Sequence, residues 1–144
     1  MSIVREILKL KGATIWSVAP EHKVFDTLQL MAEKNVGAVL VLEGTTIAGI
    51  FSERDFARRC AKGAVNPTEV PVKDMMTSKL IFVSPTQTTE ECMALMTTRR
   101  IRHLPVMEEG KLVGLISIGD VVNRIIEDHK FSITQLERYV TGEV

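Results

Sequence analysis

Two short stretches carry the residue types most able to do chemistry. Gly49-Ile50-Phe51-Ser52-Glu53-Arg54-Asp55 comes back 65 positions later as Gly114-Leu115-Ile116-Ser117-Ile118-Gly119-Asp120. In each copy an apolar run leads into the Gly, and a helical pattern follows the Ser. A Ser at a helix N-cap accepts a hydrogen bond from a first-turn backbone N–H. The same terminus, with its unpaired N–H groups and positive dipole end, is a seat for phosphate. An Asp three residues further on does not attract phosphate, but its carboxylate is an acceptor suited to a ribose diol. Each copy therefore reads either as a helix cap, with Asp55 and Asp120 balancing the dipole, or as half of a nucleotide cradle.

The elements that would hold these residues are read from apolar spacing. Residues Ile3 to Leu10 have helical periodicity, and Gly12 ends the pattern. Thr14 to Val18 alternates like a strand, closed by Pro20. Val24, Leu28, Met31 and Ala32 recur on one helical face between Lys23 and Asn35. Ala38 to Leu42 is a continuous apolar run of strand length, as expected for a strand covered on both sides. Glu43-Gly44-Thr45 reads as a turn, Ile47 to Phe51 as a strand and Ser52 to Ala61 as a helix. A register shift of 65 without gaps carries this pattern onto the second half: Pro20 falls on Pro85, Met31 on Met96, Val41 on Val106 and Arg59 on Arg124. Two copies are too few for a solenoid. The expectation is an α+β fold of two pseudo-symmetric strand–helix–strand–strand–helix repeats, at 14–62 and 77–128. A Gly- and Pro-bearing linker, 63–76, joins them, and short helices flank them at 1–12 and 131–141.

Composition narrows the function. Eighteen basic residues balance eighteen acidic ones, so nothing biases the chain toward nucleic acid or an anionic membrane. No apolar run approaches the roughly 18–20 residues of a membrane span, and the charged start lacks a signal-peptide core. Cys60 and Cys92 do not correspond in the repeat and have no metal-like spacing, which fits reduced thiols of a cytoplasmic protein. No acidic or Cys residues group around a His in a metal-binding pattern. There is no nucleophile–base pairing and no P-loop, so an enzyme, for instance a nucleotide hydrolase, is disfavoured and no catalytic cofactor is expected. With aromatic content at 5%, the core must be aliphatic and filled by residues such as Met31, Met93 and Met96.

The doubled unit ending in Gly-x-x-Ser-x-x-Asp, with Arg102-His103-Leu104-Pro105-Val106 in the second copy, resembles a CBS-domain pair (a Bateman module) over about residues 14–128, in the form of a stand-alone protein of bacterial type. The resemblance implies two clefts that bind an adenine nucleotide: AMP, ADP or ATP, and in some members NAD or S-adenosylmethionine. It implies Asp55 and Asp120 on ribose hydroxyls, with Ser52 and Ser117 on phosphate. It also implies that Thr14, Ile15 and Trp16 line adenine in the Asp120 cleft, and Thr77, Leu80 and Ile81 in the Asp55 cleft. Such pairs usually stack into homodimers.

The halves are not equivalent. Arg102-His103 enters the middle strand of the second repeat where the first has Gly37-Ala38, and Arg54 stands where the second has Gly119. Each cleft would then draw its phosphate cation from a different element, with Arg54 equally readable as a solvated helix residue. Two sites of unequal affinity or unequal ligand follow, and a longer ligand such as NAD would suit one of them. Trp16 reads either as core or as a base-stacking ring. Function is therefore expected to be nucleotide sensing, read out by a mobile element, either the terminal helices or the linker at 62–72, and by a downstream protein partner. The alternative is a structural dimerisation module that binds nothing. The helical face formed by Ile133, Leu136, Tyr139 and Val140 would cap the module or pair with another chain.

Overall fold

The computed structural model describes residues 1–12 and 14–142. The chain divides into two compact units, residues 15–80 and residues 1–14 together with 81–144. We refer to them as the Asp55 unit and the Asp120 unit. The division does not follow chain order: the segment ahead of the first repeat folds with the second repeat. Residues 72–80, ahead of the strand pair of the second repeat, fold with the first.

In the Asp55 unit, β1 (Ser17–Val18) pairs parallel with β2 (Ala38–Glu43), which pairs antiparallel with β3 (Thr46–Ser52). Helix α2 (Val24–Lys34) connects β1 to β2, and α3 (Glu53–Ala61) follows β3. The strand expected over Thr14–Val18 shrinks to two residues, because Val18 is the only side chain of that stretch that is buried. Val39, Val41, Phe51, Val24, Met31 and Val72 form the core. Ala32, read from periodicity as core, is exposed. The buried stripe of α2 is instead Val24, Thr27 and Met31, and the Thr27 hydroxyl is satisfied by the Lys23 carbonyl at 2.8 Å. After a 3₁₀ turn at Val72–Asp74, Thr77 makes an antiparallel bridge to Ile50.

The Asp120 unit repeats the plan. Helix α4 (Thr89–Arg99) precedes β4 (His103–Glu108) and β5 (Lys111–Ser117), and the counterpart of β1 is reduced to one parallel bridge, Val83 to Val106. Both ladders carry a register irregularity at the same repeat position, Val41/Leu42 and Val106/Met107. Both connecting helices end on a left-handed residue, Asn35 and Arg100, each with φ 54°. Asn tolerates that conformation well, whereas Arg is held there by the repeat geometry.

Two elements flank this repeat. Helix α1 (Val4–Lys11) buries Val4 and Ile7 in a core with Cys92, Met96, Leu104, Val106, Ile116 and Val121. Helix α5 runs unbroken from Ile118 to Thr141. The flanking helix expected at 131–141 is thus the continuation of the motif helix, since no Gly or Pro interrupts the intervening residues. Along that continuation Phe131, Ile133, Leu136, Tyr139 and Val140 are exposed.

Candidate functional site

Each repeat ends its hairpin in a capping box. In the Asp55 unit, the Ser52 hydroxyl accepts from the Asp55 N–H at 3.2 Å, and the Asp55 carboxylate accepts from the Ser52 N–H at 2.8 Å. The Ser52 hydroxyl also donates to the same carboxylate oxygen at 3.0 Å. The Glu53 N–H donates to the Gly37 carbonyl at 3.1 Å, so the residue entering β2 fixes the first turn of α3. The second carboxylate oxygen of Asp55 accepts from the Thr77 hydroxyl at 3.1 Å. Two backbone hydrogen bonds between Thr77 and Ile50, at 2.8 and 2.9 Å, hold Thr77 there. Gly49 permits this approach: a Cβ at that position would lie 2.7 Å from the Thr77 carbonyl oxygen.

The same frame recurs in the Asp120 unit. The Asp120 N–H donates to the Ser117 hydroxyl at 3.2 Å, the Ser117 N–H donates to Asp120 at 2.8 Å, and the Ile118 N–H donates to the Arg102 carbonyl at 2.8 Å. His103 is directly opposite Ser117 in the β4–β5 ladder. What differs is the second partner of the aspartate. The Lys11 ammonium, at the end of α1, donates to Asp120 at 2.6 Å and to the Leu115 carbonyl at 2.8 Å. Burial pushes the Asp120 carboxyl up, but the hydrogen bonds and charge of Lys11, with those of Ser117, outweigh it and hold the group below its ordinary value.

The remaining candidates are distributed as follows. Arg54 is half-buried in the first turn of α3, and Arg102 is exposed just before β4. Thr14 belongs to the Asp120 unit, whereas Ile15 and Trp16 belong to the Asp55 unit. The Trp16 ring lies under the Lys34 ammonium, 4.6 Å from its centroid. Leu80 is half-buried in the Asp55 unit, and Ile81 packs against the core of the Asp120 unit. Lys11 is the residue that sequence reading missed. Its signal was the register itself: extended upstream of residue 14, the shift of 65 sets Lys11-Gly12 on Met76-Thr77.

Chemically, each site presents an anionic acceptor fixed at a helix N-terminus beside a hydroxyl. That arrangement suits recognition of a diol or of an anion–hydroxyl pair. Among the described residues, no group of three His, Cys, Asp or Glu side chains gathers as a metal site.

The family model of the CBS domain matches residues 4–62 and 72–127. The chain belongs to the CBS-domain family. It is 33% identical over 122 residues to the CBS domain-containing protein YhcV of Bacillus subtilis, covering 84% of each chain. Among CBS structures, a putative signal-transduction protein with CBS domains from Burkholderia ambifaria is 48% identical. It superposes with a TM-score of 0.82 over 88% of this chain and 96% of that one. A CBS domain protein from Pyrobaculum aerophilum complexed with AMP gives a TM-score of 0.71 over 82% of this chain and 88% of that one. At 24% identity, that likeness speaks for the CBS fold alone. The tandem CBS architecture expected from the doubled motif is therefore the architecture of this protein. Among the described residues, no helix is long and apolar enough to cross a membrane.

Proposed function

We propose that this CBS-domain protein is a sensor of adenine nucleotides, with Asp55 and Asp120 each accepting hydrogen bonds from a ribose diol. The observation that carries this reading is the duplicated capping box, which holds a carboxylate at a helix N-terminus in both repeats. The AMP-bound relative of the same fold supports AMP as the first ligand to test. ADP, ATP and NAD are the further candidates.

Ser52 and Ser117 can donate their hydroxyl hydrogens to phosphate while their oxygens go on accepting from the helix N–H. Arg54 serves phosphate in the Asp55 site, and Arg102 with His103 in the Asp120 site. Thr14 contacts the base and its surroundings in the Asp120 site, and Thr77 and Leu80 do so in the Asp55 site.

Output is regulatory rather than catalytic, through a change in shape that a downstream protein in the cytoplasm reads. Ligand shifts such a module only by binding its two states unequally. A second copy pairs on the apolar tail of α5, whose Phe131, Leu136 and Tyr139 are exposed among the described residues.

A purely structural dimerisation module is the second reading, favoured by the fact that both carboxylates already close a capping box without any ligand. Calorimetric titration with AMP and with 2′,3′-dideoxy-AMP separates the two. Sensing predicts saturable binding of AMP, weakened roughly 10-fold or more by loss of the diol, since hydrogen bonds to charged groups contribute about 1.5–3 kcal/mol. It also predicts loss of one site in Asp55→Ala and of the other in Asp120→Ala. Folded protein that gives no saturable heat with AMP leaves the scaffold reading standing.

A further inference from the structure

Helix α1 is fastened to α5 at both ends by aspartates of α5. At its start, the Ser2 N–H and hydroxyl donate to Asp128 at 3.0 and 2.7 Å. At its end, Lys11 donates to Asp120. Asp120 and Asp128 are eight residues apart, about 12 Å along a helix, which is also the length of the eight-residue α1. The two helices therefore run antiparallel with matched spans.

The two fastenings differ in kind. The Asp128 end belongs to the fold: burial raises its carboxyl, and the Ser2 hydrogen bonds and the Arg124 charge more than reverse that. The Asp120 end is the carboxylate assigned above to ribose. It borders an open groove of about 240 Å³ lined by Ile7, Leu10, Lys11, Asn123 and Arg124. The pseudo-equivalent aspartate meets a neutral hydroxyl, Thr77, which can rotate away or share a hydrogen-bond chain with an incoming diol. An ammonium has no acceptor capacity, and its charge-assisted hydrogen bond is roughly twice as strong as a neutral one. A ribose diol approaching Asp120 must compete with Lys11.

We propose that Lys11 is a latch on the Asp120 site. A nucleotide that takes Asp120 expels the ammonium, so this site is the weaker of the two. Its occupation frees the C-terminal end of α1 while the Ser2–Asp128 end stays fixed. Helix α1 is then the mobile element that reports occupancy. The proposal rests on the nucleotide reading of Asp120 given above.

The test is calorimetric titration of the full chain with AMP in an Asp55→Ala background, so that only the Asp120 site reports. Lys11 is compared with Lys11→Met, the residue found at the equivalent position 76, and with Lys11→Gln as a second variant. The latch predicts AMP affinity about three- to fivefold tighter in both variants, the scale of a partly exposed ion pair. It also predicts faster amide exchange at residues 8–12 when AMP saturates the Lys11 form, and AMP-insensitive exchange there in the variants. Affinity that is unchanged or weakened in both variants overturns the latch alone. Failure of every form, including the otherwise unaltered chain, to bind AMP overturns the nucleotide reading and the latch together.

Discussion

The two CBS repeats of this protein hold their aspartates by the same backbone device and complete them with opposite chemistry. In the Asp55 unit a backbone–backbone bridge carries Thr77 to the carboxylate, so the second partner is a neutral hydroxyl, free to rotate on a fixed backbone. In the Asp120 unit the repeat position of Thr77 is Gly12, which has no side chain to offer. The preceding residue, Lys11, reaches the carboxylate from the end of α1 instead. A pseudo-symmetric fold can therefore hold two copies of one motif in different states without altering the motif, because the difference enters through the segment lent from outside each repeat.

The largest expected effect separates the two motif glycines. A Cβ on Gly49 meets the Thr77 backbone oxygen at 2.7 Å, and backbone held by two hydrogen bonds cannot move aside cheaply. Gly49→Ala should cost roughly 1–3 kcal/mol, the usual range for overpacking. It should also detach Thr77 from Asp55. A Cβ on Gly114 comes to 2.5 Å of Leu8 Cδ2, the far end of a half-buried side chain that can change rotamer. Gly114→Ala should cost less, about 1 kcal/mol or below. Urea denaturation of both variants makes the comparison, and equal losses would break the claim that the two lent segments are held differently.

A smaller effect is confined to the Asp120 unit. Asp120 and Asp128 both titrate below the ordinary 3.8. A carboxyl whose folded value is depressed stabilises the fold fully above its unfolded value and loses that contribution as pH falls through the folded one. The fastening of α1 should thus weaken only as the solution is acidified below about pH 4. Lys11→Met should move the Asp120 titration upward toward its ordinary value while leaving Asp128 in place. Carboxyl carbon shifts in an NMR titration read this directly.

Much of this was legible in the residues. The shift of 65 located both capping boxes, and the unbroken run Ala38–Leu42 gave the buried strand. Two things were hidden for physical reasons. Periodicity weighs a methyl above a hydroxyl, so it preferred Ala32 to Thr27, whereas a Thr that returns its hydroxyl to the Lys23 carbonyl is buried at little cost. The family resemblance implied an exchange of segments between the repeats, but the particular contact of Lys11 with Asp120 went unread, because a contact across 109 residues leaves no local pattern. Composition likewise fixes neither the exposure of the α5 tail nor the burial that pushes the Cys92 thiol up to about 11.

The most direct test of the account follows the backbone amides of Asp55 and Asp120 separately while AMP is added to the full chain. The neutral partner at Asp55 and the ammonium at Asp120 predict that the Asp55 signal moves first and saturates at the lower AMP concentration. Movement of Asp120 ahead of Asp55, or of both in step, would contradict the claim that their second partners set the two sites apart.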